Sequence, residues 1–293
     1  MSGLRVESGG ALTLVQDLGR PGHAALGVTR SGAADRGALR LANRLVANAE
    51  DAAGLEVTLG GLRLRAVRDL VVAVTGARTP VDIDDRGADM HAPVVLRASQ
   101  VLALGVPSEG LRTYVAVRGG VDVRPVLGSR SRDTLAGLGP EPLREGDVLA
   151  VGQAPGRPPS VDLAPVAAPG SARLRVVLGP RDDWFDDAEA LLQGEWEVTA
   201  DSDRVGLRLR RPGGGPLLTR IDDAELASEG VVRGAVQVPP GGEPVLFLAD
   251  HPVTGGYPVV AVVVDADTDR VAQLRPGERL RFAGTGVSRA DAR

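Results

Sequence analysis

The chain contains no cysteine and no lysine, and aromatic side chains make up only 2% of it. Without cysteine there is no disulfide framework, no thiolate zinc site and no cysteine nucleophile. Without lysine, a Walker-type phosphate lysine, a Schiff base and a biotin carried on the chain's own lysine are all excluded. The scarcity of aromatics means a core of Val, Leu and Ala. No apolar run approaches the ~20 residues that a membrane-crossing helix needs. The N-terminal stretch MSGLRVESGGAL has neither the basic region nor the apolar core of a signal peptide. The expectation is a cytoplasmic protein with no membrane partner. A formal charge of -4 also argues against a nucleic-acid partner.

What is abundant points to strands. The 293 residues include 39 Gly and 21 Pro among many Val-rich runs, the composition of short strands joined by turns. Candidate strands include LRVES, GLEVTLGGLRLRA, LVVAVTG, PVVLRA, VLALGV, TYVAVRG, LRVVLGP, WEVTA, VGLRLRR, VVRGAVQVP, PVLFLAD and VVAVVVD. Several alternate apolar and polar residues as half-buried strands do. Two helices are expected. Residues 33–53 place Ala38, Leu41, Ala42, Leu45, Val46 and Ala49 on one stripe, with Ser31 and Asp35 near the start. Residues 182–194, DDWFDDAEALLQG, offer Asp182 as a cap and Gly194 as a stop. A Pro/Ala/Gly-rich stretch without periodicity, 151–173, reads as a connection. The expected organisation is a β domain over 1–155, a linker over 156–172 and a second β domain over 173–293. The two halves end alike, with LREGDVLAVG from Leu143 and LRPGERLRFA from Leu274. That echo fits either two related domains or chance matching of Gly/Leu patterns.

Four polar, glycine-bearing loops carry the candidate chemistry. The first, 16–35, holds Gln16, Asp17, Arg20, His23, Ser31 and Asp35. Its Asp17 and Arg20 either bind a polar ligand or brace the loop as an ion pair. The second, 200–209, gathers Ser202, Asp203 and Arg204. There an arginine suited to carboxylate or phosphate competes with a simple turn. The third, 226–244, holds Glu229 and Gln237. A buried Glu229 could serve as a general base, while an exposed one would be a solvated or capping group. The fourth, ADHPVTGGYP over 249–258, sets Asp250, His251, Thr254, Gly255 and Tyr257 between two apolar runs. Glycines there let a ligand approach the backbone. Only three histidines are present, so no histidine-rich metal site is expected, and no metal ligand is assigned.

Taken together, these loops resemble one family. The stretches QDLGRPG, GVTRSGAADRGALRLANRLVANAEDAAGLEVTLGG, YVAVRGGVDVRPVLGSRSRD, GPRDDWF, SDRVGLRL, SEGVVRGAVQVPPGGEPVLFLAD, TGGYPVVAVV and AQLRPGERLRF run in family order. They are similar to the family of the 5-oxoprolinase C component, also known as KipA-like, allophanate hydrolase subunit 2 or biotin-dependent carboxyltransferase. The resemblance implies a mainly β fold, two tandem cyclophilin-like β-barrel domains with a few short helices. It implies a KipI-like B component as partner, with a LamB/YcsF-like A component in addition, and ATP-driven hydrolysis of 5-oxo-L-proline to L-glutamate. The alternatives are a carboxyltransferase using biotin carried by another protein, and a KipA-type binding protein that acts on a kinase through its partner. Under the leading reading Asp17, Glu229 and Asp250 are acid/base or metal-phosphate candidates. Arg20 and Arg204 are assigned to anions. Ser31, Asp35, Ser202, Gln237, Thr254, Gly255 and Tyr257 are assigned to the substrate. Two departures stand out. Pro252 and Val253 replace the family's usual Gln and Thr, which bears on the substrate, and Ala47 replaces a usual Gly, which bears on helix geometry.

Overall fold

A computed structural model describes residues 2–165, 172–222 and 224–286. Most of the expected linker is described, but its residues 166–171 lie outside that set. The chain divides into two compact units: Met1–Arg20, Ser31–Asp133 and Gly137–Ala168 form the first, and Pro21–Arg30, Thr134–Ala136 and Pro169–Arg293 form the second. Mainly β structure prevails in both.

In the first unit the strands are β1 (Ser2–Gly9), β2 (Leu12–Gln16), β3 (Gly54–Thr58), β4 (Leu62–Ala66), β5 (Leu70–Arg78), β6 (Val81–Ile83), β7 (Arg86–Gly87), β8 (Pro93–Leu96), β9 (Val101–Leu104), β10 (Glu109–Val117) and β11 (Val148–Ala150). They form a six-stranded sheet, β11-β1-β4-β9-β6-β7, and a five-stranded sheet, β2-β3-β10-β5-β8. Every named strand pair in these sheets is antiparallel. Alternation in β4, LRLRA, turns Leu62, Leu64 and Ala66 inward and both arginines outward. The inward faces of both sheets share one core, with Leu4, Val6 and Leu64 from one and Val15, Leu55, Val72 and Val115 from the other. The continuous run GLEVTLGGLRLRA does not remain one strand. Leu59, Gly60 and Gly61 all take positive φ, and the chain switches there from one sheet to the other.

Helix α1 (Arg36–Leu45) covers the opposite face of the five-stranded sheet, packing Ala42, Leu45 and Val46 on Ala73 and Ala116. It is shorter than the stripe over 33–53 suggests. Asn48 N–H reaches Asn43 C=O at 2.9 Å and Ala47 N–H reaches Arg44 C=O at 3.0 Å. These are the paired bonds of a Schellman stop, with Ala47 at φ 59° in the position usually given to glycine.

The second unit is a closed barrel of seven strands: β12 (Arg173–Leu178), β13 (Trp196–Val198), β14 (Gly206–Arg210), β16 (Ala235–Gln237), β17 (Val245–Phe247), β19 (Val259–Val263) and β20 (Arg279–Gly284), in the order β12-β19-β16-β17-β14-β13-β20. Parallel pairing of β20 with β12 closes it. A small ribbon, β15 (Glu229–Gly230) with β18 (Thr254–Gly255), lies outside the barrel sheet. Trp196 is fully buried in the barrel core among Leu174, Val198, Leu209 and Phe282. The single α-helix expected over 182–194 is instead two 3₁₀ turns, Asp182–Trp184 and Ala188–Leu192. Phe185 between them is extended, at φ -121° and ψ 142°, and bridges Arg220. Asp187, not Asp182, caps the second turn by accepting Ala190 N–H. A short helix without a clear periodic signal in the sequence, α2 (Asp265–Val271), carries acidic residues in its first turn and Arg270 in its last, the charge order that suits a helix dipole.

Candidate functional site

The candidate residues fall in two groups, one in each unit. In the first unit, Asp17 is held by the segment 129–131. Its carboxylate accepts Gly19 N–H (2.7 Å), Ser129 O–H (2.7 Å), Arg130 N–H (2.6 Å) and Ser131 O–H. Four donors on one carboxylate leave little lone-pair capacity for proton transfer, so the geometry fits an organiser of the loop better than a general base. Arg20 does not pair with Asp17. Its guanidinium donates to the Ser131 and Val126 carbonyls and lies 3.9 Å from Asp133, with both side chains buried. Ser31, at φ 53°, directs its hydroxyl to the Arg132 carbonyl at 3.4 Å. Gln16 donates to the same carbonyl at 2.8 Å. Asp35 is the N-cap of α1, accepting Ala38 N–H at 2.8 Å, which gives it a structural task where a substrate contact was expected.

Beneath this loop lies a buried polar cluster that the sequence does not single out. Glu56 on β3 accepts Ala34 N–H at 2.9 Å and Tyr114 O–H at 2.7 Å on the same oxygen. The Tyr114 hydroxyl in turn accepts Asp35 N–H at 2.8 Å, and Arg112 stands 3.6 Å from the other carboxylate oxygen. Burial, followed by the charges of Glu56 and Asp35, pushes the Tyr114 phenol well above its usual 10.0. Tyr114 is thus a fixed neutral donor. A charged residue in the middle of the apolar strand GLEVT was the available signal.

In the second unit, Arg204 and Asp250 form a buried bidentate ion pair, 2% and 0% exposed, with N···O distances of 2.8 and 3.0 Å. Thr134 adds its N–H (2.9 Å) and O–H (2.7 Å) to the same Asp250 carboxylate, and Asp250 N–H returns to the Arg204 carbonyl at 3.0 Å. Loop 200–209 and the decapeptide 249–258 are thereby clamped together. Ser202 accepts Arg208 N–H at 3.0 Å, a turn contact.

The ribbon β15–β18 gathers a more open set. Glu229 pairs with Gly255, and Gly230 with Thr254. Glu229 receives a forked pair of hydrogen bonds from Arg181, which hold its carboxyl below the usual range, and both side chains are about one-third exposed. Gln237 donates to the Tyr257 carbonyl at 2.8 Å, and its amide lies against Gly255 so closely that a Cβ there would meet Nε2 at 2.5 Å. Thr254 is exposed, and Tyr257 is 46% exposed. Among the described residues no group of three or more His, Asp or Glu side chains is placed to hold a metal ion, and no helix is long and apolar enough to cross a membrane.

The family model of the carboxyltransferase domain, subdomain A and B, matches residues 26–284. The chain belongs to this carboxyltransferase-domain family. It is 36% identical to the C component of the Escherichia coli 5-oxoprolinase, covering 98% of this chain and 93% of that protein. The crystal structure of TTHA0988 superposes with a TM-score of 0.87 at 37% identity, over 97% of this chain and 55% of that one. The Kluyveromyces lactis urea carboxylase gives the same TM-score at 30% identity, over 97% of this chain and 27% of that one. This chain therefore spans about half of the TTHA0988 chain and about a quarter of the urea carboxylase.

Within this carboxyltransferase-domain chain, the departures from the family pattern acquire a local meaning. Val253 contributes its carbonyl, which accepts Val231 N–H at 3.0 Å, a contact that any side chain at 253 permits. The Pro252 carbonyl lies 2.6 Å from His251 Nδ1. Both replacements thus keep main-chain roles and remove side-chain polar groups beside Thr254.

Proposed function

We propose that this chain is one component of an ATP-dependent 5-oxoprolinase that hydrolyses 5-oxo-L-proline to L-glutamate. The observation that carries the reading is its end-to-end likeness to the C component of 5-oxoprolinase, over 98% of this chain and 93% of the Escherichia coli protein. A lactam is a stable amide, and ATP makes its opening feasible. Phosphorylating the lactam oxygen makes the ring carbon electrophilic, water adds to it, and the ring C–N bond breaks to leave an acyl phosphate. A second water then releases phosphate and leaves glutamate. Of the three candidate carboxylates, Asp17 and Asp250 are saturated by donors, whereas Glu229 is about one-third exposed. We assign general-base or water-ordering work to Glu229, kept ionised by Arg181. Thr254, Tyr257 and Gln237 are assigned to the substrate, and Arg204 with Asp250 to the rigidity of the wall that carries them.

The partners in this reading are a KipI-like B component and a LamB/YcsF-like A component. The deciding assay is glutamate release from 5-oxoproline and ATP by the three proteins together, repeated with this chain omitted. Release that needs all three supports the reading, and none from a folded complex overturns it. A second reading, carboxyl transfer, is favoured by the likeness to urea carboxylase. Since the chain has no lysine, biotin would arrive on another protein, and biotin-dependent urea carboxylation is the matching assay.

A further inference from the structure

The outer wall of the second unit carries a basic groove formed by other residues than the ribbon and the Arg204–Asp250 clamp. It follows from strand periodicity. In β12 and β20, RLRVVL and RLRFAG, leucine and phenylalanine point into the barrel while Arg173, Arg279 and Arg281 point out. Parallel pairing sets Arg173 directly beside Arg281, and like charges in such positions repel. Among the described residues one carboxylate forms ion pairs with two of these arginines. Glu195 contacts Arg279 at 3.1 Å and Arg281 at 3.0 Å, and these arginines hold its carboxyl below the usual range. Arg173 has no ion-pair partner among the described residues. Three guanidiniums against one carboxylate leave excess positive charge on a chain whose net charge is -4. Leu192 and Gly194 are also part of the lining of this groove, which has a volume of about 580 Å³.

We infer that this groove docks an acidic segment of the protein partner with which the chain assembles, a surface that rests on the multi-component reading above. Small-molecule sites are mostly apolar and enclose their ligand. This groove is instead open and charged, with the Arg281 side chain 64% exposed. Arginine is enriched at protein interfaces, where its planar fork takes carboxylates two bonds at a time. Charge complementarity thus selects an Asp/Glu-bearing segment, and opposite charges across the interface accelerate its capture.

The test is the affinity of the full chain for its B-type partner, measured by calorimetry at low and moderate salt. Variants R173E and R281E are compared with R5E, an exposed arginine on β1 of the first unit. Thermal melts confirm that each variant folds. The expected result is at least tenfold weaker association for R173E and R281E, a flatter salt dependence, and unchanged binding for R5E. Wild-type affinity in both groove variants would overturn the docking surface, even where the complex still releases glutamate. Glutamate release absent from a complex that assembles through the groove would instead sink the oxoprolinase reading and leave this surface standing. Failure of the wild-type chain to bind any such partner would overturn both.

Discussion

Ala47 shows how much one backbone position can say. A left-handed conformation costs an L-residue about 1–2 kcal/mol, and glycine avoids that at some loss of chain entropy. Ala47 adopts it, at φ 59°, because the bonds from Asn48 and Ala47 to the last turn of α1 require it. Ala47→Gly is therefore expected to raise stability by about 0.5–1 kcal/mol in urea denaturation. A loss of stability would mean that the Ala47 methyl packs usefully. The missing glycine is visible in the sequence by comparison with the family, but the positive φ is not. Arg204 teaches the opposite lesson. Its residue type suggests a ligand contact, yet it is buried against Asp250. Removing one partner of a buried pair typically costs about 3–5 kcal/mol. Arg204→Ala should therefore melt well below the wild type, so lost activity in that variant would not identify a ligand contact. A melt unchanged within error would show that the pair is dispensable and restore Arg204 as a candidate ligand group.

Elements were legible where periodicity was clean and illegible where the chain had to bend. Strands such as LRLRA and WEV follow from alternation, and α1 follows from its stripe. The break at Phe185 has no periodic signature. Trp184, Phe185, Ala188, Leu191 and Leu192 suit a helix face, but the extended backbone at Phe185 bridges Arg220, a partner distant in sequence. The short helix α2 is anchored by a similar long-range contact. Asp267 accepts Arg175 N–H and both arms of its guanidinium, each at 2.9 Å. Hydrogen bonding from Arg175 holds the Asp267 carboxyl below its usual 3.8. A carboxyl depressed in the folded state adds stability above its unfolded pKa and loses it as pH falls through the folded one. Wild type and Asp267→Asn should thus differ most near neutral pH and converge below the usual carboxylate range. Denaturation midpoints measured from pH 7 down to acid check this, and a difference that grows on acidification would assign the stabilisation to another group.

For the whole molecule, composition yields the strand-rich class, while the family becomes legible only when all the loops are compared with it together. The reason is chemical. Asp17, Arg20, Arg204 and Asp250 are reactive residue types, yet each is committed to neighbours, and their partners Ser129, Ser131 and Thr134 come from a segment more than a hundred residues from Asp17 or Asp250 in sequence. Burial distinguishes structural polar groups from available ones, and no local pattern reports it. Among the candidates, the more open groups are Thr254 and Glu229 on the ribbon, with Tyr257 and Arg181 beside them. Tyr257→Phe removes a hydroxyl from a residue 46% exposed, so stability should stay within about 0.5 kcal/mol of wild type. If that hydroxyl meets the substrate, losing one hydrogen bond of about 0.5–1.5 kcal/mol should lower kcat/KM of the assembled enzyme by up to about tenfold. Loss of an interaction made only in the transition state lowers kcat and kcat/KM equally, whereas loss of one made equally in the ground state raises KM alone. Steady-state kinetics on 5-oxoproline with the complete complex would separate these cases. Wild-type values for both constants would remove Tyr257 from the site and leave Thr254 and Glu229, across the ribbon, as the groups that meet the substrate.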